Sequence, residues 1–231
     1  IQFPHSIGLL YSALTGYLGF KVNDGEWKVM GLAPYGKPRF VEQFRKLVDM
    51  RPDGSFRLNM EYFSHHWSNK YPFREQKWQD LFGMHRRQPS EELGQEHSDL
   101  ARSGQAVVED LILGIARYAR QRYGSENLVI AGGVGLNSVA NWKIEQAGIF
   151  KNVWIQPAAG DDGGALGAAL YVSNGVYGDP RFPMTDVYYG PDYSDEDIEE
   201  FLLRREIPFT KRILSLACTA SVSRLPHRPS P

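Results

Sequence analysis

Leu128-Val-Ile-Ala-Gly-Gly-Val-Gly-Leu-Asn137 and Gln156-Pro-Ala-Ala-Gly-Asp-Asp-Gly-Gly-Ala-Leu-Gly167 decide the fold of this chain. Each block reads as a buried strand running into glycines and then into a helix. Glycines let backbone N–H groups approach a ligand closely, and a helix N-terminus favours an anion. The second block adds two adjacent carboxylates, Asp161 and Asp162, in the turn itself. Strand, glycine turn, polar residue and helix recur in close succession. The pattern predicts one nucleotide- or phosphate-handling site built from two loops.

Working outward, the spacing predicts strands over 127–131 and 152–155 and helices over 137–147 and 163–173. That βαβα order implies an α/β core. Residues 99–122 are the clearest helix. Leu100, Gly104, Val107, Leu111, Ile115 and Tyr118 recur at spacings of three and four, and Val108, Ile112, Ala116 and Ala119 widen the apolar face. Residues 7–20 predict an apolar helix that starts near Pro4 and Ser6 and ends near Gly16 or Gly19. A short helix flanked by loops is expected in 23–37, and an amphipathic helix over 40–50. Asp53-Gly54 reads as a hairpin turn, with Ser55–Asn59 as a small strand. Residues 60–94, aromatic and polar with little period, read as an irregular insertion. The turn cluster 174–180 ends the core domain. Beyond it, 186–190 reads as a strand, and Ser194-Asp-Glu-Asp opens a charged helix to about 204.

The 231 residues suffice for one large domain or two small ones. With 42% hydrophobic and 23% charged residues, the composition is that of a soluble globular protein. A net charge of −1 makes no electrostatic case for nucleic acid or an acidic membrane surface, so neither is expected as a partner. The lone Cys218 excludes an internal disulfide and fits a reducing compartment, hence a cytoplasmic location. No apolar run approaches the roughly 20 residues that span a bilayer. The N-terminus has no signal-peptide layout and no initiator Met, so residue 1 is expected not to be the natural start.

Gly132, Gly133 and Asn137 can admit a nucleotide, with Asn137 on a phosphate, or can form a tight turn with a capping Asn. Asp161 and Asp162 can bind a metal ion through oxygen or cap the following helix; two adjacent caps are redundant, which favours a site. Lys28 can neutralise phosphate and Glu26 can take a ribose hydroxyl, although spacing alone favours a solvated turn. His65 and His66 are adjacent and would point opposite ways on a strand. His85 and His97 lie in polar surroundings, and His5 precedes a helix and could cap it or line a cleft. No His pair has the i, i+4 spacing of a helical metal site, there is no nucleophilic serine elbow, and Cys218 lacks a structured context.

Phe3-Pro-His-Ser-Ile-Gly-Leu-Leu-Tyr-Ser-Ala-Leu-Thr-Gly-Tyr-Leu-Gly-Phe20 and Gly25-Glu-Trp-Lys-Val-Met-Gly-Leu-Ala-Pro-Tyr-Gly36 extend the pattern. With Ala131–Asn137 and Gly160–Ala169 in the same order, they resemble the O-carbamoyltransferases of the NodU/CmcH family. Tyr189-Gly-Pro-Asp-Tyr-Ser194 resembles that family's interdomain stretch, and the likeness covers about residues 1–210. The resemblance implies one lobe of the actin, Hsp70 and sugar-kinase (ASKHA) nucleotide-binding fold, truncated. It implies that a YrdC-like domain makes carbamoyl adenylate from ATP and carbamoyl phosphate. The transfer domain then moves the carbamoyl group onto a hydroxyl of a small-molecule acceptor such as a sugar or antibiotic. By the same likeness Asp161 would be a metal ligand. Gly132, Gly133, Asn137 and Gly163 would line the adenylate pocket, with Glu26 and Lys28 facing it. The divalent metal would be iron by resemblance, though a lone Asp is equally compatible with zinc, manganese or magnesium. A cation near the carbamoyl carbonyl would stabilise the charge developing there.

The domain reading is therefore a partial transfer domain over 1–180, a linker and the start of the YrdC-like domain over 181–210, and a disordered or frame-shifted tail over 211–231. The family's first lobe, with its spaced histidine pair, and its Arg-rich second domain have no counterpart in this sequence. The chain alone is therefore expected not to catalyse the overall reaction, and a face that met a missing lobe would leave an apolar patch. The alternatives are a tRNA threonylcarbamoyl-transfer protein and a non-catalytic nucleotide-binding module.

Overall fold

A computed structural model describes residues 1–68, 71–188 and 190–211. Cys218, His227 and, apart from Lys211, the tail expected over 211–231 lie outside the described residues. The chain divides into one unit over Ile1–Arg181 and a second beginning at Phe182.

Helix α1 is Ile7–Tyr17. Its start is set by Ser6, whose hydroxyl accepts from the Leu9 N–H at 3.3 Å. Helix α2, Glu26–Leu32, tightens into a 3-10 turn at Ala33–Tyr35, where Pro34 withholds a donor. Helix α3 is Val41–Leu47. The helix expected over 40–50 stops there, because residues 48–50 are captured by a hairpin instead. Strand β1, Val48–Met50, pairs antiparallel with β2, Phe56–Leu58, across the Asp53-Gly54 turn. The Asp53 carboxylate accepts from the Ser55 N–H and hydroxyl, closing that turn.

Residues 60–94 are not an irregular insertion. Phe63 and Phe73 bridge as an antiparallel pair, and Glu75–Phe82 forms helix α4. Phe63, Phe73, Trp78 and Phe82 are buried against Tyr17 and Phe44. Ring centroids lie 5.1 Å apart for Tyr17–Trp78 and 5.0 Å apart for Phe44–Phe82. The Trp78 indole N–H donates to the Tyr62 carbonyl at 2.9 Å, so its polar edge is satisfied inside the core. The segment lacks a period because its few large rings converge from turns as well as from a helix.

Helix α5, Gln95–Tyr123, runs 29 residues through the unit. Leu100, Val107 and Leu111 join the aromatic cluster, while Ala116 joins a second, smaller core with Ile144 and Phe150. Near its start Asp99 holds the segment after α2. Its carboxylate accepts from the Lys37 N–H at 2.8 Å, the Gln95 amide at 2.9 Å and Arg39 at 3.2 Å.

Strands β3, Asn127–Ile130, and β4, Asn152–Ile155, are parallel and pair in register from Asn127↔Asn152 to Ile130↔Ile155. Helix α6, Ser138–Gln146, connects them, and α7, Gly163–Leu170, follows and continues as a π-helical turn at Tyr171–Val176. This is the α/β order read from the sequence. The strands are not buried on both faces, however. Leu128, Ile130 and Val153 pack onto the second core, whereas the register partners Val129 and Trp154 are 67% and 40% exposed. No residue of α7 is buried. Alternation explains the difference: side chains one residue apart face opposite sides, and α5 and α6 supply packing for one side only.

In the second unit, helix α8, Asp195–Arg204, opens with a capping box. Ser194 and Asp197 exchange bonds of 2.9 and 3.1 Å. The strand expected over 186–190 does not form at 186–188, and Tyr189 lies outside the described residues. Among the described residues, no helix is long and apolar enough to cross a membrane.

Candidate functional site

The two glycine loops leave the carboxyl ends of β3 and β4. Adjacent parallel strands deliver them to the same edge of the sheet, where open α/β sheets bind ligands. They are tied together directly: the Gly132 N–H donates to the Ala159 carbonyl at 2.8 Å. Gly132 has φ +98°, a left-handed conformation that side-chain-bearing residues rarely adopt, and the chain turns there into the 3-10 segment Gly133–Leu136. Leu136 reaches over Gly160, and Gly135 is buried against Ile130 and Ala159. At Gly163 a Cβ would fall onto the Ala158 carbonyl oxygen, so the second loop closes only around a glycine. The two loops are thus joined through Gly132, Gly135 and Leu136 on the first and Ala159 and Gly160 on the second; Gly133 and Asn137 lie on the first loop, and Asp161 and Gly163 on the second.

Asn137 ends the first loop and caps α6, its Oδ1 accepting from the Ala140 N–H at 3.0 Å. The same Oδ1 accepts from Gln105 Nε2 at 3.1 Å, and Asn137 Nδ2 donates to Gln105 Oε1 at 3.0 Å. The Tyr11 hydroxyl donates to that Oε1 at 2.8 Å. Burial, followed by the nearby Glu109 and Glu26 carboxylates, pushes the Tyr11 hydroxyl well above the ordinary phenol range, so it stays a donor. Sequence reasoning missed Gln105 and Tyr11. The available signal was an amide inside the apolar face of the 99–122 helix.

Glu26 is half-buried. Its Oε1 accepts from the Ser12 hydroxyl at 2.9 Å and the Asn23 N–H at 3.0 Å, tying α2 to α1. Both helices border the first loop: Met30 sulfur lies 3.6 Å from the Ser138 hydroxyl, and Gly8 packs beside Val134. Lys28 is exposed, with its ammonium 5.4 Å from the centroid of the Trp27 ring. Among the described residues, no hydrogen bond or ion pair joins Lys28 to either loop.

Asp161 and Asp162 are exposed, and Asp162 stands at the N-cap of α7 without making a side-chain cap bond. Among the described residues, no group of three or more His, Cys, Asp or Glu side chains could hold a metal ion. This adjacent pair is too small a donor set for a complete metal shell, so no chemical step is assigned to one. His5 does not cap α1. Its Nδ1 accepts from the Leu58 N–H at 3.2 Å, pinning the helix start to β2. A 520 Å³ depression lined by Arg45, Lys46, Asp49 and Arg57 lies beside the hairpin and shares no residue with the glycine loops.

Residues 1–170 match the model of a family described as the carbamoyltransferase N-terminus. The chain belongs to the carbamoyltransferase family. Both glycine loops and α7 fall within the match. This family member is similar to an uncharacterized Synechocystis protein, sll1178, at 48% identity over 87% of the chain and 34% of that protein. It is similar to nodulation protein NolNO of Sinorhizobium fredii at 37% identity, over 87% of the chain and 28% of that protein. Nodulation protein NolO of Bradyrhizobium diazoefficiens is 35% identical over 88% of the chain and 35% of its own length. This carbamoyltransferase-family chain therefore spans about a third of the length of these curated relatives. The four ordered motifs read from the sequence pointed to the same family.

Proposed function

We propose that this chain is part of an O-carbamoyltransferase. In this reading it contributes one lobe of an ASKHA-type transfer domain that moves a carbamoyl group from carbamoyl adenylate to the hydroxyl of a small-molecule acceptor. The observation that carries the reading is the Gly132–Ala159 bond, which unites two glycine loops at the carboxyl edge of a parallel sheet, in a chain of the carbamoyltransferase family. Gly132, Gly133 and Gly163 keep the loop backbones clear, so that main-chain N–H groups can approach the adenylate phosphate. Glu26 and Lys28 on the neighbouring α2 face the same ligand. The acceptor oxygen bonds to the carbamoyl carbon as the bond from that carbon to the phosphate oxygen breaks; AMP leaves with the electron pair, and the hydroxyl proton passes to solvent. A cation here would take Asp161 from this chain and its other ligands from outside the described residues.

Titration of the chain with AMP, the leaving half of the donor, tests this reading. A Cβ at Gly133 would meet nothing within 4 Å, so Gly133→Val should be accommodated while crowding the ligand face, with an unchanged urea midpoint checking that the fold is kept. Saturable AMP binding that Gly133→Val abolishes supports the site. No binding, or binding indifferent to Gly133→Val, overturns it. The reaction itself is checked in a polypeptide of the relatives' length that carries this chain, supplied with ATP, carbamoyl phosphate and a hydroxyl acceptor.

A further inference from the structure

We infer that Gln105 and Tyr11 are positioning residues for the first glycine loop, acting through Asn137 to fix the shape in which that loop meets its ligand. The inference rests on the loops being the ligand site. Asn137 is a junction: it closes the 3-10 segment Gly133–Leu136, with its N–H on the Val134 carbonyl at 3.0 Å, and it opens α6. Whatever orients Asn137 therefore orients the exit of the loop.

An asparagine cap has two nearly isosteric orientations, and only one presents Oδ1 to the Ala140 N–H. Here a single arrangement pairs the Ala140 N–H, both amide groups and the Tyr11 hydroxyl at once. Oδ1 faces Ala140, so it also receives Gln105 Nε2, and that places Gln105 Oε1 toward Asn137 Nδ2 and the Tyr11 hydroxyl. Gln105 is 1% exposed and Tyr11 7% exposed, so water cannot substitute for either partner. A buried amide in an apolar helix face is costly unless paired, and a fully paired network specifies one geometry. One turn further along α5, Glu109 adds a second tie to α6. Its Oε2 lies 3.9 Å from Lys143, and its Oε1 lies 3.5 Å from Arg102.

The test reads amide hydrogen exchange at Ala140 alongside AMP titration, in the chain and in Gln105→Leu, Tyr11→Phe and Gln105→Glu. Gln105→Leu should lower Ala140 protection about tenfold, leave α1 and α4 protection unchanged, and weaken AMP binding by a similar factor. Gln105→Glu separates orientation from packing. An ionised carboxylate cannot donate to Asn137 Oδ1, whereas a protonated one can. Protection in that variant should therefore be low at neutral pH and recover on acidification. The charged and titratable groups around position 105 are Tyr11, Glu109 with Arg102 and Lys143, and Glu26 beside Tyr11. All are present in the unaltered chain, so its profile over the same pH range is the reference. Tyr11→Phe, which deletes one oxygen, decides the matter if a Gln105 variant does not fold, and should lower Ala140 protection severalfold. Unchanged Ala140 protection in Gln105→Leu and Tyr11→Phe, or a Gln105→Glu defect equal at every pH, overturns the inference. If the unaltered chain binds no AMP, the ligand reading of the loops fails, while the exchange data still decide whether the network orients Asn137.

Discussion

Gly132 and Ala159 share a backbone hydrogen bond of 2.8 Å, and through it two loops separated by a whole helix become a single surface. The bond exists because β3 and β4 are adjacent and parallel in register, so both chains leave the sheet side by side.

The second loop should tolerate no side chain at its tightest point. Gly163→Ala drives a Cβ into a main-chain oxygen, Ala158, which cannot rotate away. The expected cost is about 1–3 kcal/mol. Gly164→Ala, one residue on, meets nothing within 4 Å and should be neutral or stabilising by up to about 1 kcal/mol. The urea midpoint of Gly163→Ala should fall, while that of Gly164→Ala should hold or rise.

The aromatic segment should behave as core. Trp78 is fully buried and hydrogen-bonded, so Trp78→Ala should cost about 3–5 kcal/mol. Excision of residues 60–94 should abolish cooperative unfolding rather than trim a loop. A retained sharp transition in the deletion variant would contradict the assignment.

Asp99 should matter more than its visible ion pair suggests. Its side chain is 1% exposed, while Arg39 is 65% exposed. Asp99→Ala removes the acceptor of the Lys37 N–H and one of the two acceptors of the Gln95 amide, at a cost of about 1–2 kcal/mol. Arg39→Ala removes only a screened partner and should cost less than about 1 kcal/mol. Chemical denaturation of both variants checks the ratio.

Acid should destabilise the fold in two stages. Burial, then Arg57 and His65, lowers the His5 value, and burial lowers that of His97 against the opposing pull of Glu96. The unfolded chain then takes up protons first, so stability present above about 6.5 is lost as pH falls through the folded values. Burial opposes ionisation of Asp99, but bonds from Lys37, Gln95 and Arg39 outweigh it and hold its carboxyl below the ordinary value. Its contribution is lost at lower pH, beneath the usual carboxylate range. Urea midpoints should hold from pH 8 to about 6.5, fall below that, and fall again below about pH 4, and His5→Gln should flatten the upper stage. A rise between pH 8 and 6 would contradict this.

The open sheet face should self-associate. Val129 and Trp154 are direct register partners and both are exposed, and the apolar α7 has no buried residue either. Sedimentation should show concentration-dependent association of the chain. Val129→Lys should reduce it while shifting the unfolding free energy by no more than about 0.5 kcal/mol.

Much of this was legible in the chain itself. Ser6 and Ser194 announce the starts of α1 and α8, Asp53-Gly54 announces the hairpin, and the long apolar stripe announces α5. The glycine loops were visible as βα turns, and Asp161 and Gly163 as parts of one of them. The capping alternative at Asn137 was visible too, but not its partner Gln105, because a polar residue in an apolar stripe does not say what it meets.

Local geometry explains the division. Caps, turns and periodicity are settled within a turn or two of chain, where each residue's own backbone and nearest neighbours decide the outcome, and the sequence determined these by itself. Three features were decided only by tertiary structure: the aromatic rings of 60–94 converging on Tyr17 and Phe44, the Tyr11–Gln105–Asn137 network, and a sheet covered on one face while Val129 and Trp154 stay open. Each depends on side chains far apart in sequence meeting at short range, and no window of residues contains both members of such a pair.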